Sequence, residues 1–216
     1  MIFIGMKYLL SLLLLISFTV SAQDTVTIQH KAYKTTFSKS KGYPVKVEWW
    51  LTRAMLSCST KVKRTDNFGP DPKLPNETNI QLYYNGSGYD RGHNFPAADG
   101  ACDNVSMNES FYFSNMTPQT PQLNRGDWKV LEEMTRYEAN QYDSLYIWVG
   151  SVGEVKKIGK LSVPKQCWKV VYNRRINTYT AYLFENDNTK ADGVKNNEVD
   201  LKAVEQISGF KFKINK

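Results

Sequence analysis

The sequence contains only two histidines, and one of them, His93, lies among other residues that can act on a phosphate or on water. Residues 87–99 read Ser-Gly-Tyr-Asp-Arg-Gly-His-Asn-Phe-Pro-Ala-Ala-Asp. An imidazole accepts protons near neutral pH, and the guanidinium of the adjacent Arg91 can donate paired hydrogen bonds to phosphate oxygens. The glycines allow the backbone to turn tightly beside these two residues. We therefore predict that His93 is a general base and that Arg91 binds a phosphate.

The remaining candidates in this part of the chain are assigned supporting roles. His30 has no acidic or metal-binding neighbour in the sequence, so we expect it to be structural or to lie on the surface. Asp90 is expected to orient Arg91 or a backbone turn, and Asp99 is expected to be an ordinary loop residue. Neither aspartate is predicted to be catalytic.

A second group of residues follows the spacing of a helix. At about 100° per residue, side chains four positions apart drift by only ~40° around the helix axis. Glu133 falls on the opposite side, so this geometry selects Glu132 as the acid of the site. Gly126 interrupts the pattern and can delay the start of the helix, and the alternative interpretation is a solvated charged face. The stripe comprises Asn124, Trp128, Glu132 and Arg136.

The Asp-Arg-Gly-His sequence at residues 90–93 resembles the motif of the DNA/RNA non-specific endonucleases, a branch of the ββα-metal nuclease superfamily. The resemblance covers residues 45–212. It implies an α+β fold with a mixed or antiparallel central sheet, flanking helices and a ββα-metal finger as the active site. Further similar segments follow in the order of the family, at 113–119, 123–128, 131–132, 148–151, 163–165, 168–171 and 204–210.

The resemblance also implies a metal centre. His93 corresponds to the general base of the family. Asn124 corresponds to the single direct protein ligand of Mg²⁺, for which Mn²⁺ can substitute. Glu132 corresponds to a residue that orients the metal-bound waters.

The other implied residues surround the phosphate. Arg91 and Arg136 correspond to arginines that hold it, and Asn115 to an asparagine that supports the histidine or the substrate. Arg64 is the candidate for a further catalytic arginine, although Arg53 and residues 61–63 offer neighbouring basic alternatives.

The implied reaction is hydrolysis of phosphodiester bonds in DNA and RNA without sequence preference, leaving 5′-phosphate ends. Two alternatives stay open at the level of sequence. One is a nucleic-acid-binding protein with altered catalysis, and the other is a phosphodiesterase of the same fold that acts only on DNA or on small nucleotides.

The elements that must position these residues are strands and helices without regular βαβ alternation, which predicts an α+β fold. A long surface loop is expected at 63–85 and an irregular segment at 118–124, which contains two prolines. A helix is expected from Asp127 onward, capped by Asp127 or Asn124. Strands are predicted at 26–33, 45–51, 111–113, 144–149, 168–172 and 178–184, and a final helix at 199–207 with Gly209 as its C-terminal cap.

The first residues are typical of export. Residues 9–20 are almost all apolar, Lys7 precedes them, and Val-Ser-Ala follows at 20–22. This predicts a secretory signal peptide at 1–22 and a single domain at 23–216. The apolar run is shorter than the about 20 residues of a membrane helix. We expect a secreted or periplasmic protein without stable membrane association after cleavage.

Charge and cysteine content agree with this assignment. The net charge of +7 suits a polyanion such as DNA or RNA, and equally suits solubility. Cys58, Cys102 and Cys167 allow one disulfide in an oxidising compartment, and the sequence leaves the pair open. None of them has a neighbouring histidine, so we expect no catalytic cysteine. The sequence does not fix the oligomeric state.

Overall fold

The structure is a computed structural model that describes residues 24–189 and 192–214, so the expected signal peptide lies outside the described residues. Within them, the chain is dominated by one antiparallel sheet of seven strands. Its spatial order is β1 (Thr25–Gln29), β2 (Lys34–Ser38), β3 (Tyr43–Thr52), β6 (Ser144–Val152), β9 (Gln166–Asn173), β10 (Thr178–Glu185) and β11 (Glu198–Val199).

Two small antiparallel pairs and several helices complete the described part of the chain. β4 (Asp90–His93) pairs with β5 (Met116–Gln119), and β7 (Lys156–Ile158) pairs with β8 (Leu161–Val163). The α-helices are α1 (Arg53–Leu56), α2 (Gln81–Tyr84), α3 (Asn104–Glu109), α4 (Pro121–Arg125), α5 (Asp127–Tyr142) and α6 (Leu201–Ser208), and 3-10 helices lie at Phe113–Asn115 and Val194–Asn197. The predicted α+β fold with an antiparallel central sheet is confirmed.

The large sheet is covered on both faces, because successive side chains of a strand point to opposite sides. On one face, Ile147 and Val149 of β6 belong to a core that includes Trp128 and Leu131 of α5. On the other face, the intervening Trp148 packs in a core with residues of α6 and the C-terminal tail. The strands in the middle of the sheet therefore bury apolar side chains on both faces.

Helix α5 begins at the predicted residue, Asp127, but its N-terminus is not capped in the predicted way. Trp128, Leu131, Thr135 and Ala139 recur at helical spacing on its buried side. The expected cap is wrong, because the helix begins after Gly126 and has no side-chain cap. Instead, the carboxylate of Asp127 accepts a hydrogen bond from the backbone N–H of Gly193, at 3.2 Å.

The segment at 118–124 is regular rather than irregular, because each proline sits where a missing N–H is tolerated. Pro118 lies in β5, a strand of a two-stranded pair, and Pro121 opens α4 in its first turn. The hydroxyl of Thr120 accepts a hydrogen bond from the backbone N–H of Leu123 and so caps α4.

The prediction of a strand at 111–113 is also wrong. Phe111 and Phe113 are buried in two different clusters, and the chain turns between them into a 3-10 helix at Phe113–Asn115. Three aromatic residues in a row indicate burial but do not distinguish a strand from a buried turn.

The other local predictions correspond to observed elements. The loop at 63–85 is largely irregular and ends in α2, and the stretch at 26–33 lies in the hairpin of β1 and β2 at the sheet edge. The last helix runs from Leu201 to Ser208, and Gly209 follows it in the left-handed conformation with φ of 73°. Among the described residues, no helix has the length and apolar character needed to cross a membrane.

The disulfide pair that the sequence left open is Cys58–Cys102, with a Cα–Cα distance of 5.6 Å. Cys167 is a buried free thiol. Near the disulfide, the backbone N–H of Val62 donates to the carbonyl of Ala101 at 2.7 Å. The start of the long loop is thus tied to the segment that follows His93.

We predict that the double substitution Cys58→Ala/Cys102→Ala lowers the free energy of unfolding. The bond closes a loop with a sequence separation of 44, for which lost loop entropy corresponds to about 4 kcal/mol. Denaturant melts of the two proteins measure the difference. A reductant should lower the midpoint of the parent protein but not that of the double variant, and equal midpoints for both proteins without reductant would contradict the prediction.

Candidate active site

The pair of strands β4 and β5 places the residues of the Asp-Arg-Gly-His segment. Arg91 lies opposite Pro118, Gly92 opposite Thr117 and His93 opposite Met116. A Cβ atom at Gly92 would lie only 2.1 Å from Oε1 of Gln119, so a larger residue at this position requires the Gln119 side chain to move. Helix α4 follows β5 after a single residue and contacts β4. Strand, strand and helix therefore bring His93 and Asn124 to one cleft.

A polar cleft contains most of the predicted phosphate-binding residues. His93, Arg91, Arg64 and Asn124 all line it. Arg64, whose assignment rested on a loop of uncertain length, is thus brought to the same place as the histidine. The remaining lining residues are Phe68, Tyr84, Asn85, Gly86, Tyr89 and Asp90.

The imidazole of His93 is packed between aromatic rings. Phe111 and Phe68 approach it edge-on, with ring centroids at 5.1 Å and 5.7 Å. Its Nε2 atom is buried and has no hydrogen-bond partner within the described residues. Burial, reinforced by the positive charge of Arg64, lowers the pKa of His93 to about 3. The ring is therefore neutral at physiological pH, with one nitrogen unpaired.

The two arginines of the cleft are held against aromatic rings. The guanidinium of Arg91 lies 4.3 Å from the centroid of Phe68, and its Nη1 donates to Oε1 of Gln81 at 3.3 Å. The guanidinium of Arg64 lies 4.9 Å from the centroid of Phe111, and its Nε donates to Asp66 at 2.7 Å. Planar stacking fixes the direction of these cations while leaving donors for an incoming anion.

Asp90 orients Asn124 rather than Arg91. The carboxamide Nδ2 of Asn124 donates to Oδ2 of Asp90 at 2.9 Å, and Arg125 donates to both oxygens of the same carboxylate. Burial raises the pKa of Asp90, but the hydrogen bonds from Arg125 and Asn124 outweigh it and hold this pKa below its usual range. The amide nitrogen of Asn124 is thereby engaged, and its Oδ1 atom remains available as an acceptor. Asp90 was expected to orient Arg91 or a backbone turn, whereas its side chain bonds to Asn124 and Arg125.

Glu132 and Arg136 lie in a second, mostly buried charge cluster. Arg136 contacts Asp99 at 3.3 Å and Glu132 at 3.9 Å, and Asp99 also accepts a hydrogen bond from the indole of Trp49 at 3.2 Å. Asp99 is only 2% exposed, so its description as an ordinary loop residue was wrong. It holds the guanidinium of Arg136 on the face of α5.

The carboxyl group of Glu132 is strongly perturbed. Burial, together with the negative charge of Asp99, raises its pKa to about 7, although Lys169, Arg136 and Arg64 act in the opposite direction. The influence of Arg64 links this cluster electrostatically to the cleft. The predicted single stripe is wrong in one respect, because Asn124 belongs to α4 and not to α5. Trp128, at 1% exposure, is a core residue.

Lys169 is a residue of this cluster that the sequence analysis missed. It is 1% exposed, and its ammonium lies 4.9 Å from the ring of Trp128. Burial lowers its pKa, while Glu132 and Asp99 raise it. The signal was present in the sequence, since a lysine between a tryptophan and two valines in a central strand must be buried with a partner.

Asn115 and His30 have structural contacts. The side chain of Asn115 is fully buried and exchanges hydrogen bonds with the backbone of Phe95 and donates to Ser110, so it braces the chain just after His93. His30 is buried, with Nε2 at 3.1 Å from Asp71, and stacks on Tyr33. His30 is thus a buried structural residue and does not lie on the surface.

The family model described as DNA/RNA non-specific endonuclease matches residues 13–216. The chain belongs to this family. The match extends beyond the range of 45–212 on which the resemblance was first noted.

Curated relatives and solved structures are consistent with this membership. The chain is similar to a nuclease of Nostoc sp., with 38% identity over 68% of this chain and 54% of the relative, and to mitochondrial nuclease 1 of Schizosaccharomyces pombe, with 31% identity over 85% and 64%. It is also similar to a nuclease of Serratia marcescens, with 32% identity over 74% and 66%. The chain therefore spans less than two thirds of each of these relatives.

The fold resembles a chain in the crystal structure of the EndoG/EndoGI complex. The TM-score is 0.79 and the identity is 25%, and the alignment covers 86% of this chain and 84% of the other. The expected fold of a ββα-metal nuclease is thus confirmed.

The residues of the cleft fit a weakly held divalent ion better than a tightly caged one. Within the described residues, no group of three or more His, Cys, Asp or Glu side chains is placed to hold a metal. A single neutral amide oxygen, that of Asn124, is available instead. Mg²⁺ retains several waters and needs few protein ligands, so this sparse donor set suits it.

We predict that the His93 imidazole stays neutral down to about pH 4, because burial opposes its protonation. A histidine NMR titration measures this directly, since the chain has only two histidines. The signal that is missing from the spectrum of His93→Gln belongs to His93. A midpoint near the ordinary value of 6.5 would contradict burial of the ring.

The same shift has a defined effect on stability. Its folded pKa of about 3 lies below the ordinary value of 6.5, so the unfolded chain takes up this proton first as the pH falls. The contribution of this group to stability is present above pH 6.5 and is lost as the pH falls toward 3. Between these limits, His93→Gln should lose less stability than the parent protein in denaturant melts.

Proposed function

We propose that this chain is an exported, Mg²⁺-dependent endonuclease that hydrolyses phosphodiester bonds in both DNA and RNA and leaves 5′-phosphate ends. One observation carries the proposal. The cleft combines a neutral imidazole with an unpaired nitrogen, two guanidinium groups and a free amide oxygen. These are the parts that in-line attack of water on a phosphodiester requires.

His93 accepts a proton from the attacking water. Because its pKa is low, the ring is ready to accept this proton at neutral pH without first losing one. A base with such a low pKa, however, must become more basic for the proton transfer itself. Burial is the main cause of the low pKa of His93, and the positive charges of Arg64 and Arg91 lower it further; the negative charge of a bound phosphate offsets this second contribution. Substrate binding therefore strengthens the base.

Arg91 and Arg64 hold the scissile phosphate and stabilise the charge that builds on its oxygens. Asn124 would hold Mg²⁺ through Oδ1, and its hydrogen bond to Asp90 orients the carboxamide for this purpose. A bound ion would supply positive charge that stabilises the reacting phosphate. Mn²⁺, which accepts similar oxygen ligands, is expected to substitute for it.

The cluster behind the cleft has an indirect part in the reaction. Glu132 would orient waters of a bound ion, and Arg136, held by Asp99, would add positive charge for the phosphate. Asn115 acts as a positioning residue, because its side chain holds the backbone after His93. Contacts of this kind, directed at phosphates, do not distinguish one base sequence from another.

Export agrees with the disulfide. A bond between Cys58 and Cys102 persists in an oxidising compartment, and residues 1–22 have the composition of a signal peptide. We propose that the mature protein begins after residue 22 and acts in the periplasm or outside the cell on DNA and RNA.

The central prediction is that His93→Ala loses at least about a hundredfold in cleavage rate, since a general base contributes that much or more. Plasmid DNA, RNA and a small phosphodiester are digested side by side with Mg²⁺. Thermal melting shows that the variant is folded. Full activity of His93→Ala, or of the parent protein in excess chelator, would contradict the mechanism.

The same assay separates the alternatives. Cleavage of DNA alone, or of the small diester alone, would identify a narrower phosphodiesterase. Tight DNA binding without cleavage in any divalent metal would identify a binding protein that has lost catalysis.

A second prediction concerns the partner of Asn124. Asp90→Ala frees the Asn124 carboxamide to rotate, so the Mg²⁺ concentration for half-maximal rate should rise by about tenfold or more. Arg125→Ala is the matched control, because it removes the other hydrogen-bond donor to Asp90 but keeps the hydrogen bond between Asp90 and Asn124. It should stay close to the parent protein. Equal effects of both substitutions would show that Asp90 does not act through Asn124.

A further inference from the structure

A basic hairpin lies next to the cleft and takes no part in the mechanism above. It consists of β7 and β8, at residues 156–163. With its flanks it carries lysines at 156, 157, 160 and 165, against one acidic residue, Glu154. Such a local excess of cations attracts polyanions.

The hairpin is firmly attached beside the cleft. Ile158 and Leu161 pack in a cluster with Tyr83 and Tyr84 of α2, and Tyr84 also lines the cleft. A Cβ atom at Gly159 would come within 2.2 Å of the Tyr83 ring, so the hairpin turn closely abuts this helix. The backbone that carries the lysines is therefore packed against α2, beside the cleft.

One of these lysines contacts a residue that lines the cleft. The ammonium of Lys156 lies 5.0 Å from the ring centroid of Tyr89, which is a lining residue of the cleft. Lys156 is exposed and forms no salt bridge within the described part of the chain. The Tyr89 ring therefore positions an uncompensated cation at the mouth of the cleft, where its remaining donors are free.

The neighbouring Lys157 points the other way. Because side chains alternate along a strand, Lys156 shares its face with Ile158 and Lys157 lies on the opposite face. In the register of the two strands, Lys157 lies opposite Ser162. The hydroxyl of Ser162 donates to Glu154 at 2.5 Å. The two lysines thus have the same charge and similar exposure but face different surroundings.

We propose that Lys156, positioned by Tyr89, is a subsite for a backbone phosphate that flanks the scissile one along the bound strand. The subsite rests on the proposed nuclease function, which it deepens. It binds the polynucleotide chain outside the reacting phosphate and therefore favours long substrates over small diesters. Lys157 is not part of it.

Binding is tested without cleavage, by fluorescence anisotropy of a labelled single-stranded DNA in EDTA between about 50 and 200 mM salt. For Lys156→Gln, loss of one phosphate contact should reduce the slope of log affinity against log salt by about 0.7 and weaken binding about fivefold at 0.1 M salt. Lys157→Gln, the matched control, should behave like the parent protein. Equal effects of the two substitutions, or none at Lys156, would overturn the subsite.

The role of Tyr89 is tested by two substitutions of its ring. Tyr89→Phe keeps the aromatic face and should retain parental binding, whereas Tyr89→Leu should weaken it. In the double variant Tyr89→Leu/Lys156→Gln, the two losses should be less than additive, since both remove one contact. Additive losses would show that Tyr89 does not act through Lys156.

Turnover of bis(p-nitrophenyl) phosphate separates this subsite from the reaction itself. This small diester has no flanking phosphate, so Lys156→Gln should hydrolyse it at the parental rate while its KM for polynucleotide rises. A parallel loss on the small diester would place Lys156 at the reacting phosphate instead. Failure of the parent protein to cleave any substrate would count against the nuclease function alone, since the anisotropy result does not depend on cleavage.

Discussion

In the pair of strands β4 and β5, Gly92 lies against the side chain of Gln119 with no room for a Cβ atom. The contact belongs to a register in which His93 lies opposite Met116. A slip by one residue would turn the imidazole to the opposite side of the strand. Because α4 follows β5 almost immediately, the same register also sets the position of Asn124. Base and proposed metal ligand therefore depend on one backbone pairing.

Around this pairing, charged side chains form two groups. The cleft holds two guanidinium groups, a neutral imidazole and the carboxylate of Asp90, whereas Asp99 and Glu132 lie in a more buried cluster with Lys169 and Arg136. Buried charges of this kind are tolerated only when they compensate one another. The arrangement leaves the open side of the site positive, which is the sign that a phosphate requires.

The sequence was sufficient to predict the fold class, the long central strands, α5 and the final helix, because their apolar periodicity is strong. It also selected residues that the structure gathers in one cleft, including Arg64. It placed Asn124 on one stripe with the residues of α5 and noted that Gly126 can delay the helix. In the structure the backbone at Gly126 (φ −97°, ψ −118°) does leave the helical conformation, and Asn124 lies in α4.

Other features depend on tertiary contacts that local patterns do not contain. The burial of Asp99 follows from its contacts with Trp49 and Arg136, which are distant in sequence. The disulfide pair follows from the approach of two loops in space. Lys169 is the exception, since its apolar neighbours in a predicted central strand already indicated a buried charge.

The disulfide between Cys58 and Cys102 also depends on the compartment in which the chain is found. It ties the beginning of the loop that carries Arg64 to the segment after His93. In a reducing cytosol this link does not persist, so the loop lacks its covalent anchor there. If the chain is exported, as proposed above, this covalent anchor of the loop forms only once the protein reaches an oxidising compartment.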